Sequence, residues 1–135
     1  MRNVLIVEDN AQDVHFIKRI FQKSLENVQI EAIEDGETAL NFFINPTQFS
    51  FIPDLILLDI KLPKMSGLEI LKRIKSEEIF RRTPVLMFSS SSEENDIQTS
   101  YNLGANSYIV KPKNYNDLKT TLGEITKYWF NYNKN

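Results

Sequence analysis

Cysteine is absent from all 135 residues. That excludes a disulfide framework, thiolate zinc sites and a cysteine nucleophile, and it fits a reducing compartment. Histidine occurs once, at His15, so multi-histidine metal sites are excluded too. No apolar run approaches the ~20 residues of a membrane span. The opening "MRNVLIVEDN" turns acidic after a short apolar stretch, unlike a signal peptide. These absences predict a cytoplasmic protein without a membrane partner. The net charge of −2 supplies no general field for nucleic acid. Only four glycines are present, and neither G-x-x-x-x-G-K-[ST] nor G-x-G-x-x-G occurs. Phosphate-binding loops of the nucleotide-binding type are therefore missing, which argues against a flavodoxin-like cofactor module or a nucleotide-binding domain.

What is present alternates. Short apolar runs at Asn3–Val7, Asp54–Leu58, Pro84–Phe88 and Asn106–Val110, with the alternating Val28–Ile33, read as five strands. Between them lie helical patterns. Asn10 can cap a helix with Val14, Ile17, Ile20, Phe21 and Leu25 on its apolar face. Gly36 opens another through about Ile44. Ser66 and Glu69 have the form of a capping box, as do Ser91 and Glu94. Gly104 can end the fourth helix in the left-handed region. The last helix carries Leu118, Leu122, Ile125 and Trp129. Asn45–Pro53 is a longer loop with two prolines. Strands alternating with helices predict one α/β domain over residues 1–135. It is a doubly wound (βα)5 parallel five-stranded sheet in the flavodoxin-like order 2-1-3-4-5, with helices on both faces.

In such a sheet, ligands bind at the carboxyl ends of the strands. Strand 1 is followed by Glu8 and Asp9, strand 3 by Asp59, strand 4 by Ser89 and strand 5 by Lys111 and Pro112. Three carboxylates converging on one crevice repel one another unless a cation intervenes. Oxygen-only ligands favour Mg2+, with Mn2+ or Ca2+ able to substitute. Lys111 supplies a second positive charge. The set suits phosphoryl transfer, in which Asp59 attacks and Lys111 and the Ser89 hydroxyl hold phosphoryl oxygens. Glu8 and Asp9 alone would read as ordinary acids at a helix N-terminus; together with Asp59 and Lys111 they read as a site.

The ordered motifs "VLIVEDN", "DLILLDIKLPKMSG", "PVLMFSSSS" and "YIVKP" resemble those of the receiver domain of two-component response regulators. The resemblance spans essentially the whole chain. It implies phosphoryl transfer from a sensor histidine kinase to Asp59. It also implies Mg2+ held by Asp9, Asp59, the backbone carbonyl of Lys61 and, through water, Glu8. Ser89 and Tyr108 become the switch, and a cis Lys111–Pro112 peptide is expected in the turn that aims the lysine. Within the family the chain looks most like the single-domain regulators paired with phytochrome-type kinases. Ser89 stands where threonine is commoner, and the long charged Lys61 lies beside the phosphorylation site.

An aspartyl-phosphate phosphatase is the competing enzymatic reading. Such enzymes carry an acid two residues after the nucleophile, where this chain has Lys61. The chain is thus expected to be no enzyme beyond self-phosphorylation and autodephosphorylation. A degenerate receiver acting only by contact is disfavoured by the intact acidic and lysine set. With the chain ending soon after the fifth helix, no output domain is expected and signalling must run through protein contact. The aromatics Tyr128, Trp129, Phe130 and Tyr132 predict a homodimer interface on the face of helix 4, strand 5 and helix 5. His15 is expected at the surface, outside the chemistry.

Overall fold

The computed structural model describes residues 1–45 and 52–134. Most of the predicted Asn45–Pro53 loop therefore lies outside the described residues. Five parallel strands, β1 (Arg2–Val7), β2 (Val28–Ile33), β3 (Leu55–Leu58), β4 (Val85–Ser89) and β5 (Ser107–Val110), form one sheet in the order β2-β1-β3-β4-β5. The connecting helices are α1 (Ala11–Ser24), α2 (Gly36–Ile44), α3 (Gly67–Ser76), α4 (Glu94–Asn102) and α5 (Tyr115–Thr126). Among the described residues the predicted strand order and the count of strands and α-helices hold.

The central strands are largely apolar, β3 wholly so, because both faces of the sheet are covered, whereas the edge strand β2 alternates and carries Gln29 and Glu31. Leu5, Val7, Ile56, Leu58, Val85 and Met87 enter the core beneath α2 and α3. Val4, Ile6, Leu55, Leu57, Leu86 and Phe88 enter the core shared with α1 and α5. Adjacent residues thus serve opposite layers, as the period of two requires. Each such side chain contributes about 1.5–3 kcal/mol through burial, so the central strands anchor whatever stands at their ends.

Helix starts are set by side-chain caps. Asn10, Asp35, Ser66 and Asn114 accept the N–H groups of Asp13, Thr38, Leu68 and Asp117. The fourth start differs from the expected box. Here α4 begins at Glu94, and Ser91 stands before it, accepting the Glu93 N–H and donating to Asp96 at 2.6 Å. Gly104 ends α4 with φ 103°, as its position predicts.

The last helix departs from its sequence pattern. After Thr126 the backbone widens into a π-helical turn over Lys127–Tyr132, with the Asn133 N–H reaching the Tyr128 carbonyl at 2.6 Å. An i→i+5 turn delays the helical phase. Phe130, expected as an exposed interface residue, is buried for that reason, with the Arg2 guanidinium 5.0 Å from its ring centroid. Trp129 is half-buried against the same core. Tyr128 and Tyr132 remain exposed.

Candidate phosphoacceptor site

The carboxyl end of the sheet collects the charges. Continuing the alternation past β1 and β3, Glu8 and Asp59 fall on the α1 and α5 side. Both are nearly buried, at 2% and 7% exposure, while Asp9 is exposed. Backbone bonds fix them: the Glu8 N–H donates to Ile33, and the Asp59 N–H donates to Val7 at 3.0 Å. Behind Asp59 the chain needs a glycine. A Cβ on Gly67 would lie 1.8 Å from the Asp59 carbonyl oxygen. Its absence lets the first turn of α3 close against the Asp59–Ile60 backbone, where the Gly67 N–H bonds to Ile60 at 2.7 Å.

Lys111 arrives from the far side of the sheet. Its N–H donates to the Ser89 carbonyl at 2.8 Å, extending the β4–β5 pairing by one step. Its side chain then reaches back to three acids. The ammonium donates to Asp59 Oδ2 at 3.0 Å, to Asp13 Oδ2 at 3.2 Å and, most closely, to Glu8 Oε1. At rest Lys111 is therefore ion-paired with Asp59. The described residues contain no cis peptide bond. This corrects the expected cis Lys111–Pro112 link: the Ser89 bond and the long lysine stem bring the ammonium to Asp59 with the peptide trans.

Electrostatics mark this cluster as incomplete. Burial pushes the Glu8 carboxyl up to about 7, with the Lys111 hydrogen bond pulling the other way and the Asp59 charge adding to the rise. For Lys111 burial acts downward, but the Glu8 bond and the Asp59 and Glu8 charges outweigh it and hold the ammonium above the ordinary lysine range. One ammonium thus faces more negative charge than it can offset. Glu8, Asp9 and Asp59 each offer a carboxylate oxygen, all within 4.8 Å of one another. An oxygen-only set with one exposed member fits a hard divalent cation.

Ser89 is fully buried at the end of β4, and its Oγ accepts the Ser91 N–H at 3.2 Å. The Ser91 carbonyl in turn accepts the Tyr108 hydroxyl at 2.8 Å. Both expected switch residues therefore bond to the same residue, Ser91, which the sequence marked only as a possible helix cap. Tyr108 packs half-buried against the α3-side core, and its N–H donates to the Tyr101 hydroxyl at 3.0 Å. Lys61 is exposed beside the site, and His15 is exposed on α1. Asp13 was not singled out in the sequence. Its signal was its place as an acid in the first turn of α1, three residues after the Asn10 cap.

The response regulator receiver domain family matches residues 4–123. The chain belongs to that family. It is 36% identical over 132 residues to a probable methanogenesis regulatory protein, FilR2, of Methanothrix harundinacea, covering 97% of this chain and 85% of that protein. It is 33% identical over 128 residues to the response regulator Rcp1 of Synechocystis, covering 93% and 87%. Among solved structures, the phosphorylated cyanobacterial phytochrome response regulator RcpA superposes with a TM-score of 0.93 at 33% identity, over 98% of this chain and 96% of that one. The Mn2+-bound form of Rcp1 gives 0.91 at 31%, over 99% and 98%. The fold is that of these receivers, and receivers of this family signal in two-component systems under histidine kinases. No described helix is long and apolar enough to cross a membrane.

Proposed function

We propose that residues 1–135 form one receiver domain that accepts a phosphoryl group on Asp59 from a sensor histidine kinase of the phytochrome class. The observation that carries this reading is a nearly buried carboxylate at the end of an all-aliphatic strand. It has an ammonium at 3.0 Å on one side and the Glu8 and Asp9 oxygens on the other. In the transfer an Asp59 oxygen forms a bond to phosphorus. The P–N bond of the phosphohistidine breaks, and the imidazole nitrogen leaves with the electron pair. Lys111 meets the developing charge on the phosphoryl oxygens, and the Ser89 hydroxyl takes another once it releases the Ser91 N–H. The side chains of Glu8, Asp9 and Asp59 and the backbone oxygen of Lys61 would hold Mg2+. Bound there, the ion supplies the positive charge that transfer of a phosphoryl group demands. Water attack on the acyl phosphate would return Asp59 to its resting form, so the only chemistry is the domain's own phosphorylation and dephosphorylation. Similarity to the phytochrome regulator RcpA supports the kinase class.

The switch reading follows from the Ser91 bonds. Moving Ser89 toward a phosphoryl group frees the Ser91 N–H, and Tyr108 is bonded to the same residue. The output surface would be the face of α4, β5 and α5, where Tyr101, Val110, Tyr128 and Tyr132 are all exposed large side chains. A two-fold homodimer in the cytoplasm is the proposed assembly there. Nucleic acid is not a proposed partner.

The test is incubation with acetyl phosphate and Mg2+, followed by mapping of acid-labile phosphate. Label on Asp59, absent in Asp59→Asn, is expected. Label elsewhere, or undiminished uptake by Asp59→Asn, would refute the assignment. Sedimentation of wild type against Tyr128→Ser/Tyr132→Ser tests the dimer without removing buried Phe130.

A further inference from the structure

An ammonium has three protons to donate. In Lys111 all three are committed, one each to Glu8, Asp59 and Asp13. These three acids are not equivalent. Glu8 and Asp59 also belong to the cluster of oxygens suited to a divalent cation, and Asp59 is the group that would become an acyl phosphate. Asp13 has neither duty. It stands in the third position of α1, where an acid commonly reaches back to the N–H of the capping residue. Here that N–H, on Asn10, already donates to Glu8 Oε2 at 3.1 Å. The Asp13 backbone N–H is held by Asn10 Oδ1 at 3.0 Å, and its carboxylate turns to Lys111 instead.

We infer that Asp13 is a positioning residue for phosphoryl transfer: it keeps the Lys111 ammonium at the site when Glu8 and Asp59 are drawn to a cation and to the phosphoryl group. This rests on the reading of Asp59 as phosphoacceptor. The geometry gives the reason. Two of the three resting partners of Lys111 change their own bonds during the reaction. Without a third that does not, the ammonium would be tethered only by its flexible stem. Asp13 is fixed by a helix start and stands on the rim, with its side chain 37% exposed. It can retain one lysine proton while the other two turn to phosphoryl oxygens. Asp13 therefore does not touch the reacting atoms; it acts through Lys111.

The test compares wild type, Asp13→Asn, Asp13→Glu, Lys111→Met and the double variant Asp13→Asn/Lys111→Met, all in saturating Mg2+. Two quantities are read: the rate of Asp59 phosphorylation by acetyl phosphate, and the affinity for beryllium fluoride, a phosphoryl mimic, by calorimetry. Loss of one charge-assisted hydrogen bond predicts about a tenfold drop in both for Asp13→Asn. Asp13→Glu, which keeps the charged acceptor, should recover most of the loss in both. In the Lys111→Met background, Asp13→Asn should have no further effect, because the pair is broken already. Unchanged or tighter beryllium fluoride binding in Asp13→Asn would overturn the inference, as would an effect that persists without Lys111. Should Asp13→Asn fail to fold, Asp13→Glu and the 15N signal of the Lys111 ammonium in wild type carry the test. Loss of that ammonium's hydrogen-bonded signal on adding Mg2+ would count against it. A wild type that takes up neither phosphate nor beryllium fluoride would instead fell the Asp59 reading, and this inference with it.

Discussion

Asp54 and Asp59 bracket the same four aliphatic residues of β3, one at each end. They have the same side chain and opposite fates. Asp54 is exposed, and its carboxylate accepts the Asn3 N–H at 2.8 Å while its own N–H donates to the Asn3 carbonyl at 2.7 Å. It behaves as a clip between β3 and the start of β1. Asp59 is nearly buried and lies at 3.0 Å from an ammonium shared with two other acids. The difference is not in β3 itself. It comes from what the neighbouring strands bring to each end: at the amino end a backbone, at the carboxyl end Glu8, Asp9 and Lys111. A parallel sheet concentrates such residues because every strand points the same way, and each βα turn opens on one edge.

Removing the cation should expose this contrast most sharply. Lys111→Met leaves Glu8, Asp13 and Asp59 without their shared partner. Breaking a buried pair on one side costs about 3–5 kcal/mol, and that loss is expected near neutral pH without divalent ions. It should shrink on acidification as Glu8, whose carboxyl burial raises to about 7, protonates. Denaturant melts at pH 5 and pH 7.5 measure it. An unchanged midpoint at pH 7.5 would mean that the three acids do not depend on Lys111.

Mg2+ should act in the other direction. A ligand at one hundred times its Kd adds about 2.7 kcal/mol to the stability of a protein that binds it only when folded. The melting temperature should climb with added Mg2+ in wild type and much less in Asp9→Ala, whose ligand is the exposed member of the cluster. An equal rise in both would place the ion elsewhere.

The pH profile sharpens the same point. The Glu8 carboxyl is raised from 4.5 to about 7 by burial, against the pull of Lys111. A carboxyl raised on folding favours the protonated native state. Its contribution is full below about pH 4.5 and is lost as pH rises through about 7. Metal-free wild type should therefore lose stability across that window relative to Glu8→Gln, and saturating Mg2+ should remove the difference in slope. Parallel profiles for the two proteins in a chelator would contradict the burial of Glu8.

Most of this arrangement was legible in the residues. Four strands followed from short apolar runs and the second, Val28–Ile33, from its alternation; their order followed from the doubly wound topology that alternating strands and helices imply. The convergence of Glu8, Asp9, Asp59 and Lys111 followed from their common place just at or after strand ends. Three things were not legible, each for a physical reason. Phe130 is buried because a π-turn delays the helical phase, and a spacing argument assumes 3.6 residues per turn throughout. Asp13 serves Lys111 because the Asn10 N–H is taken by Glu8, and competition for one donor cannot be read from either residue alone. The Lys111–Pro112 peptide is trans, and the Lys111 ammonium still reaches Asp59 because the lysine stem spans from the end of β5 to β3, a distance that depends on the sheet rather than on either residue.

The smallest effect belongs to the other end of β3. Asp54→Asn keeps an oxygen that can accept the Asn3 N–H and loses only the charge on it. A neutral hydrogen bond contributes about 0.5–1.5 kcal/mol, and one to a charged group about 1.5–3. The change should therefore cost about 1 kcal/mol at most, since the site is open to water and solvent replaces part of what is lost. Asp54→Ala should cost more, because the Asn3 N–H then loses its side-chain acceptor. Neither substitution should alter the rate of labelling by acetyl phosphate, because the apolar strand between the two aspartates leaves no polar path from one end to the other. Asp59→Asn should do the reverse, abolishing labelling while keeping an oxygen for the Ile60 N–H that Asp59 Oδ1 now accepts at 2.7 Å. Equal losses of labelling in Asp54→Asn and Asp59→Asn would mean that the two ends of β3 are coupled through the strand. Their different surroundings would then no longer explain their different roles.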